Sequence, residues 1–305
     1  MTPRSALPHS LFAGSAALGC WLGCTPREPA VIEADQPITV ADAGFATPES
    51  VLHDAVADVY LVSNINGTPF DVDDNGFISR LAPSGEVLAL RWIDGALEGV
   101  TLNAPKGMAI LGEILYVSDI DAVRMFDRNT GAPLGEVQVP GSTFLNDLAA
   151  GLDGAIYFTD SGLKPGASGF EPSGTDAVYR LSGDRSVEAL ATGDALGRPN
   201  GIAIVDGEVW VVSFGSGELY RVVDGAKMDA MTPPGGSLDG LEPVDGEFLI
   251  SSWGSQAVLR GPVAGPFTAT VDSLESPADI GFDRVRRRVL IPLFSLDQVR
   301  IVPLP

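Results

Sequence analysis

Short apolar runs separated by tight turns recur along most of the chain. Five segments share a turn motif, an apolar strand, a second turn and a second strand that ends in small or polar residues: "PESVLHDAVADVYLVSN", "PKGMAILGEILYVSD", "LNDLAAGLDGAIYFTD", "PNGIAIVDGEVWVVSF" and "LDGLEPVDGEFLISSW". A weaker sixth copy, "PADIGFDRVRRRVLIPLF", keeps the same phase. A third strand, such as "AVYRLS" or "ELYRVV", follows each copy. No stretch shows a sustained helical period with caps, so the pattern predicts strands throughout.

Repeats of about 40 residues built from short strands are typical of β-propellers with four strands in each blade. The motif positions recur every 39 to 57 residues, and the six copies predict an all-β fold, a six-bladed β-propeller over residues 37–305. The sixth copy has three strands, so we expect the strand 37–45, "PITVADAGF", to close the ring beside the C-terminal strand. A two-sheet sandwich is the alternative, and six copies in phase disfavour it.

The N-terminal residues differ in character from the repeats. Arg4 and the small, apolar run "LFAGSAALGCWLGC" predict an export signal over residues 1–24, followed by a Pro- and acid-rich tether over residues 25–36. Cys20 and Cys24 each follow a glycine, which resembles a bacterial lipobox, and either is a candidate for lipidation. We therefore expect an exported protein, periplasmic or held at the membrane by an N-terminal lipid, with no disulfide in the propeller.

A formal net charge of −21, from 40 acidic and 19 basic residues, excludes partners that carry dense negative charge. Nucleic acid and anionic membrane surfaces need clustered Lys and Arg. The partner is expected to be a small molecule, and the oligomeric state is left open.

The stretch "DVDDNG", residues 71–76, resembles the start of a calcium-binding EF-hand loop. The twelfth position of such a loop needs a bidentate glutamate, and here it is Ala82. The flanking residues also read as strands instead of helices. The stretch is therefore interpreted as a connection between two strands, closed by Asn75-Gly76.

Strand direction alternates within a blade, so the start of the innermost strand and the end of the second strand lie on one face. The second strands are predicted to end at Asn64, Asp119, Asp160, Phe214 and Trp253, of which the last four are candidate substrate contacts. The long connections 65–76 and 161–176 are expected to form a rim or lid over the same face. The innermost strands begin with Glu49, Lys106, Asn146, Asn200 and Asp239, with Ala278 in the sixth copy.

Glu49, Asn146, Asn200 and Asp239 would surround the central axis with carboxylate and amide oxygens. Such hard ligands suit calcium, magnesium or manganese, and zinc also accepts carboxylates. Any one of these side chains alone could cap a turn. Four on one axis favour one divalent cation, with calcium as the first choice.

"PESVLHD", "PNGIAIVDGEVWVVSF" and "LDGLEPVDGEFLISSW" resemble the family of senescence marker protein, gluconolactonase and luciferin-regenerating enzyme, whose members are six-bladed propellers. Paraoxonases and strictosidine synthases are more distant relatives of that family. The resemblance covers roughly residues 44–305. It implies that Glu49, Asn200 and Asp239 hold one divalent cation, and that Asn146 contacts substrate or water.

The resemblance further implies lactone hydrolysis, with Asp239 as the base that activates water. Asp147 is a candidate to orient the site or to replace that base. The sugar-lactone members carry an arginine two residues before the third-blade asparagine, where this chain has Phe144, which favours a more apolar substrate. Apart from His9 the chain has only His53, so a histidine-dyad mechanism is excluded and a packed His53 is favoured.

Lys106 occupies the motif position of the second copy, where its charge would repel a cation. It could pair with Asp119, Asp147 or Asp279, bind a substrate carboxylate or oxyanion, replace the metal by bridging Glu49 and Asp239, or face solvent.

The favoured function is a metal-dependent hydrolase of a lactone or related ester, with Asp239, Asp147 and Lys106 as candidate catalytic residues. The principal alternative is a propeller without enzymatic activity that binds a ligand or a protein through its acidic central face, because the fold alone does not give function. A different reaction on the same scaffold, as in the strictosidine synthases, is a third possibility.

Overall fold

Six four-stranded antiparallel sheets form the protein, as the repeats predict. The computed structural model describes residues 36–167 and 169–304. The predicted export signal, most of the tether and both candidate lipidation sites, Cys20 and Cys24, lie outside these residues. Within the described ranges the only helix is a 3-10 turn over Asp194–Leu196, and no helix there is long and apolar enough to cross a membrane.

Within each blade the strands lie from the axis outward in the order in which they occur along the chain, except that the N-terminal strand belongs to the last blade. They are β1 (Ile38–Val40); β2 (Pro48–Asp54), β3 (Val59–Asn64), β4 (Phe77–Leu81) and β5 (Val87–Asp94) in blade 1; β6 (Pro105–Leu111), β7 (Ile114–Asp119), β8 (Ala122–Asp127) and β9 (Pro133–Gln138) in blade 2; β10 (Leu145–Ala150), β11 (Ile156–Asp160), β14 (Ala177–Leu181) and β15 (Val187–Thr192) in blade 3, with a hairpin of β12 (Leu163–Gly166) and β13 (Gly169–Pro172); β16 (Pro199–Val205), β17 (Glu208–Ser213), β18 (Leu219–Val223) and β19 (Ala226–Met231) in blade 4; β20 (Leu238–Val244), β21 (Glu247–Ser252), β22 (Ala257–Pro262) and β23 (Thr268–Val271) in blade 5; and β24 (Gly281–Asp283), β25 (Arg288–Leu293) and β26 (Gln298–Pro303) in blade 6.

The N-terminal strand closes the ring. β1 pairs antiparallel with β26, with Ile38 opposite Ile301 and Val40 opposite Val299, and supplies the outer strand of blade 6. The predicted strand 37–45 is shorter in the structure, because the chain turns after Val40 and Asp42 has a φ of 53°. Phe45 nevertheless packs into the same cluster of buried side chains as Val40.

The apolar core consists of six separate clusters, each between two neighbouring blades. Val51 and Tyr60 of blade 1, for example, pack with Leu290 and Ile301 of blade 6. Because adjacent faces bury each other, the axis itself is left without an apolar filling. Polar side chains at the inner strands can therefore face an axial space.

Both long connections on the predicted face have the expected position. Residues 65–76 join β3 to β4, and "DVDDNG" lies there between two strands, as predicted, with the Asn75 amide donating a hydrogen bond of 2.6 Å to Asp73. The second connection, 161–176, carries the hairpin β12–β13, which the sequence pattern did not predict.

Candidate functional site

The innermost strands of blades 1 to 5 share a break in their pairing at the motif residue, which is the second residue of each strand. In blades 1 to 5 the pairing between the first two strands shifts just after the first residue, as between Pro48 and Val51 in blade 1. Such a bulge bends the strand and re-aims a side chain. The bulge therefore explains why one residue per blade points to the axis at this end.

The residue after the motif position is glycine in three blades, where neighbouring inner strands come very close together. A Cβ on Gly107 would lie 2.5 Å from the Cα of Asp147, and one on Gly201 would lie 2.8 Å from the backbone nitrogen of Leu241. Real side chains do not tolerate such distances. Glycine thus permits the close approach that gathers the motif side chains into one cluster.

The gathered side chains form the floor of a cavity of about 90 Å³ at the centre of the predicted face. Its walls are mostly apolar and aromatic. The floor residues are Glu49, Lys106, Asn146, Asn200 and Asp239, and the wall residues are Ile65, Pro69, Phe144, Ser161, Leu163, Phe170, Phe214, Trp253 and Phe294. The structure therefore brings together all five predicted motif residues, and we call this space the central cavity.

Four oxygen atoms on the floor have no hydrogen-bond partner among the described residues. They are Glu49 Oε2, Asn146 Oδ1, Asn200 Oδ1 and Asp239 Oδ1, one from each of blades 1, 3, 4 and 5. All four side chains are buried, at 4 or 5% exposure. Buried polar groups without partners are rare because each loses its hydration without compensation.

This donor set fits a divalent cation. Two carboxylate and two amide oxygens are the hard ligands that calcium and related ions take. In the described part of the chain, no three Asp, Glu, His or Cys side chains lie together in a way that could hold a metal ion. A cation site on this floor would therefore depend on the two amide oxygens as well as on the two carboxylates.

Negative charge on the floor is poorly compensated. Burial raises the pKa of Glu49 well above its usual value, the charges of Asp239 and Asp279 raise it further, and Lys106 opposes the increase. Burial and Asp279 also raise the pKa of Asp239. The indole group of Trp253 acts in the opposite direction and lowers the pKa of Asp239. Its N–H group does not reach hydrogen-bonding geometry with any described residue. A bound cation would relieve this repulsion.

Lys106 is fully buried on the same floor. Its ammonium group donates one hydrogen bond of 3.1 Å to the Ala104 carbonyl oxygen and lies 4.4 Å from the centroid of the Phe144 ring. Within residues 36–167 and 169–304 it forms no salt bridge, so the structure gives no support to a lysine that bridges Glu49 and Asp239. Burial lowers its pKa, and the carboxylates of Glu49, Asp119 and Asp160 oppose that effect.

Asp119 and Asp160 do not line the central cavity, so the structure does not support their predicted contact with substrate. Asp119 accepts hydrogen bonds from the backbone N–H groups of Asn103 and Ala104, and Asp160 accepts them from Thr143 and Phe144. Each carboxylate thus ties the end of a second strand to the segment before the innermost strand. Asn64 does the same for the N–H group of Ala46.

Asp147 lies beyond the floor, in a different cavity along the axis that also contains Asp279 and His53. Its carboxylate accepts hydrogen bonds of 2.6 Å from the Leu148 N–H group and 2.8 Å from the Ile202 N–H group. Asp147 therefore stabilises the inner strands and is not placed to replace Asp239 as a base. His53 packs edge-on against Tyr60 at 5.4 Å, as a structural histidine would.

Four of the predicted substrate contacts line the cavity, with Asn146 on the floor and the other three in the wall, together with residues that the sequence pattern did not single out. Phe144, Phe214 and Trp253 are in the wall, and so are Ile65, Ser161 and Phe294. The pairing of the first two strands explains which residues reach the wall. In four blades the first residue of the inner strand pairs with an equivalent residue of the second strand: Asn64, Asp160, Ser213 and Ser252. In each of these blades the residue that follows the paired one lines the wall. Aligning the second strands on their pairing with the first residue of the motif, proline or leucine, would have identified it.

Comparison with solved structures shows the same fold in several enzymes. A gluconolactonase from Xanthomonas campestris superimposes with a TM-score of 0.67 at 22% identity, covering 88% of this chain and 89% of that one. Luciferin-regenerating enzyme gives 0.64 at 13% identity, covering 88% and 96%. Virginiamycin B lyase from Staphylococcus aureus gives 0.58 at 15% identity, covering 88% and 99%.

The sequence matches no protein-family model and no curated protein at a significant level. At the identities found among solved structures, the likeness concerns the fold. The chain is therefore a six-bladed propeller with the fold of gluconolactonase and luciferin-regenerating enzyme, in agreement with the resemblance seen in its sequence.

Proposed function

We propose that this protein is a metal-dependent hydrolase of a lactone or related ester, with one divalent cation, calcium as the first choice, at the floor of the central cavity. The observation that carries the proposal is the set of four unpaired oxygens from Glu49, Asn146, Asn200 and Asp239. The same fold in a gluconolactonase and in luciferin-regenerating enzyme supports it.

The bound cation would keep the two carboxylates ionised and would polarise the carbonyl group of the substrate. Asp239 takes the role of general base. A water molecule gives a proton to the Asp239 carboxylate as its oxygen bonds to the carbonyl carbon. The ring C–O bond then breaks, the proton passes from Asp239 to the departing oxygen, and a hydroxy acid leaves.

Lys106 would stabilise the negative charge that develops on the carbonyl oxygen. Its ammonium group has three protons, of which one is directed to Ala104. The remaining protons belong to a group that lines the cavity and has no salt-bridge partner among the described residues. A preorganised donor in a site that excludes water contributes more than the same donor in water.

Export and an N-terminal lipid at Cys20 or Cys24 complete the proposal. Together they would place the hydrolase outside the cytoplasm, where it would encounter small-molecule substrates.

The first test measures divalent-metal content and thermal stability in calcium, magnesium, manganese and zinc for the wild type, Glu49→Gln and Asp239→Asn. One ion per chain should stabilise the wild type by about 2.7 kcal/mol at a hundredfold excess over the dissociation constant. Both variants should fold, lose this stabilisation and lose at least about a hundredfold in kcat.

Asp224→Asn is the matched control, because Asp224 lies exposed in the turn between β18 and β19. It should behave as the wild type. A wild type that takes up no ion and hydrolyses no lactone with any of the four metals would refute the proposal and favour a ligand-binding propeller without enzymatic activity.

A further inference from the structure

A second, larger space adjoins the central cavity. This groove has a volume of about 480 Å³ and lies between the connection 65–76 and the hairpin β12–β13. Pro69, Phe170 and Phe294 line both the groove and the central cavity, so the two spaces lie side by side. The groove falls within the range of roughly 300–1,000 Å³ that is typical of sites for small organic ligands.

The groove offers few groups that could bind a charged or polyhydroxylated ligand. Its described lining contains no Lys, Arg or His, and Asp71 is its one charged side chain. Much of the remaining lining is apolar or backbone in character, including Pro69, Phe70, Pro165 and Phe170. A chain of CH₂ groups suits such a surface, because it gains free energy on leaving water without needing hydrogen bonds.

Aromatic side chains run without interruption from the floor of the cavity to the rim of the groove. The ring of Phe144, beside Lys106, lies 5.1 Å from that of Phe70, which in turn lies 5.4 Å from Phe170. Phe170 is 56% exposed, although it stands on a connection at the mouth of a cavity. Phe170 therefore adds apolar surface at the rim, next to the apolar lining of the groove.

The walls of the central cavity also disfavour a sugar ring. Ser161 is the one hydroxyl side chain in its lining, and that hydroxyl already donates 2.7 Å to the Pro199 carbonyl oxygen and accepts 3.0 Å from the Asn146 amide. The hydroxyl groups of a polyol would find few partners on these walls and would lose their hydration.

We propose that the groove binds an unbranched apolar chain attached to the ring of the substrate, so that the substrate class is lactones with an alkyl substituent. This inference rests on the proposed hydrolase function. The lactone carbonyl lies on the floor near Asp239 and Lys106, and the chain passes Phe170 and Phe294 into the groove.

The test uses γ-lactones whose single alkyl substituent lengthens from methyl to decyl, assayed with the metal-loaded protein. kcat/KM should rise about two- to fourfold for each added methylene and level off once the groove is filled. In Thr68→Trp, which fills the groove, and in Phe170→Ala, which removes its rim, the ratio of kcat/KM for octyl to methyl lactone should fall at least about tenfold. Leu152→Ala, at an exposed turn between β10 and β11, is the control and should keep the wild-type ratio.

Binding without hydrolysis separates the groove from the reaction. 3-Alkylcyclopentanones, in which a CH₂ group replaces the ring oxygen of a γ-alkyl lactone, have nearly the same shape and cannot be hydrolysed, and calorimetry should show dissociation constants that fall about two- to fourfold per methylene in the wild type. Thr68→Trp should abolish that dependence. If no lactone is hydrolysed but ketone binding still strengthens with chain length, the proposed role of the groove is supported and the hydrolase function is refuted. If lactones are hydrolysed at rates independent of chain length, or ketone binding ignores chain length, the groove proposal is overturned.

Discussion

Lys106 places a positive charge on a floor whose other side chains present unpaired oxygens. A lysine that is fully buried usually needs a partner, and here the ammonium group has one carbonyl oxygen and the face of Phe144. The carboxylates of Glu49, Asp119 and Asp160 stabilise its charge from a greater distance. The residue therefore works against cation binding and, in our proposal, in favour of catalysis.

Lys106→Met should change these two properties in opposite directions. Removal of the charge should tighten cation binding about tenfold, because like charges repel strongly where water is excluded. Loss of the donor to the carbonyl oxygen should lower kcat about a hundredfold. Calorimetric titration with calcium and steady-state kinetics on one lactone measure the two effects. Unchanged or weaker cation binding would show that Lys106 lies too far from the ion to oppose it.

The inner strands reach the axis through a bulge followed, in three blades, by a glycine. Gly201 illustrates the need, because its Cβ would lie 2.8 Å from Leu241 N and closer still to the Asp239 carbonyl oxygen. We expect Gly201→Ala to lower the free energy of unfolding by about 2–3 kcal/mol through overpacking of backbone on backbone.

Gly183→Ala is the matched control for this substitution. Gly183 lies in the turn between β14 and β15, where an added Cβ would meet no atom within 4 Å. Its variant should remain within about 0.5 kcal/mol of the wild type in urea unfolding. Equal stability of the two variants would mean that the inner strands separate easily and that the glycine is dispensable.

Strand repeats were enough to predict the blades, the closing strand and the five floor residues, because each depends only on apolar periodicity and on a polar residue at a strand start. Some residues of the cavity wall could not be predicted in this way. Phe294 was missed because the sixth copy is weak, and Ile65 because the second strand of blade 1 was predicted to supply its polar residue Asn64, which lies one residue before the wall position. Asp119 and Asp160 have the residue type of a binding site, but their backbone hydrogen bonds become visible only when the preceding loop is in place.

At the scale of the whole molecule, stability is distributed around a ring. Each apolar cluster joins two blades, and β1 completes the last of the six sheets by pairing with β26. Val40 is buried against this sheet, whereas Thr39 beside it faces solvent. Because successive side chains of a strand point to opposite faces, neighbouring substitutions in β1 test closure directly.

Val40→Asp should destabilise the protein by about 3 kcal/mol, since it buries a charge without a partner. Thr39→Asp introduces the same side chain one residue earlier and should have little effect. Urea unfolding, followed by fluorescence and by circular dichroism, should give a single transition at a lower midpoint for Val40→Asp. A separate early transition that leaves most of the signal intact would show that ring closure is not coupled to the rest of the propeller.

Closure by β1 also sets an order of events on the ribosome. β1 leaves the ribosome before any blade and β26 after the other strands, so their shared sheet forms only when nearly all of the described chain has been synthesised. The contact between Ser50 and Asp279, which joins the first and last inner segments beside the floor, waits equally long. A prematurely terminated chain would therefore be a set of blades with open strand edges, prone to aggregate, and not a smaller working propeller.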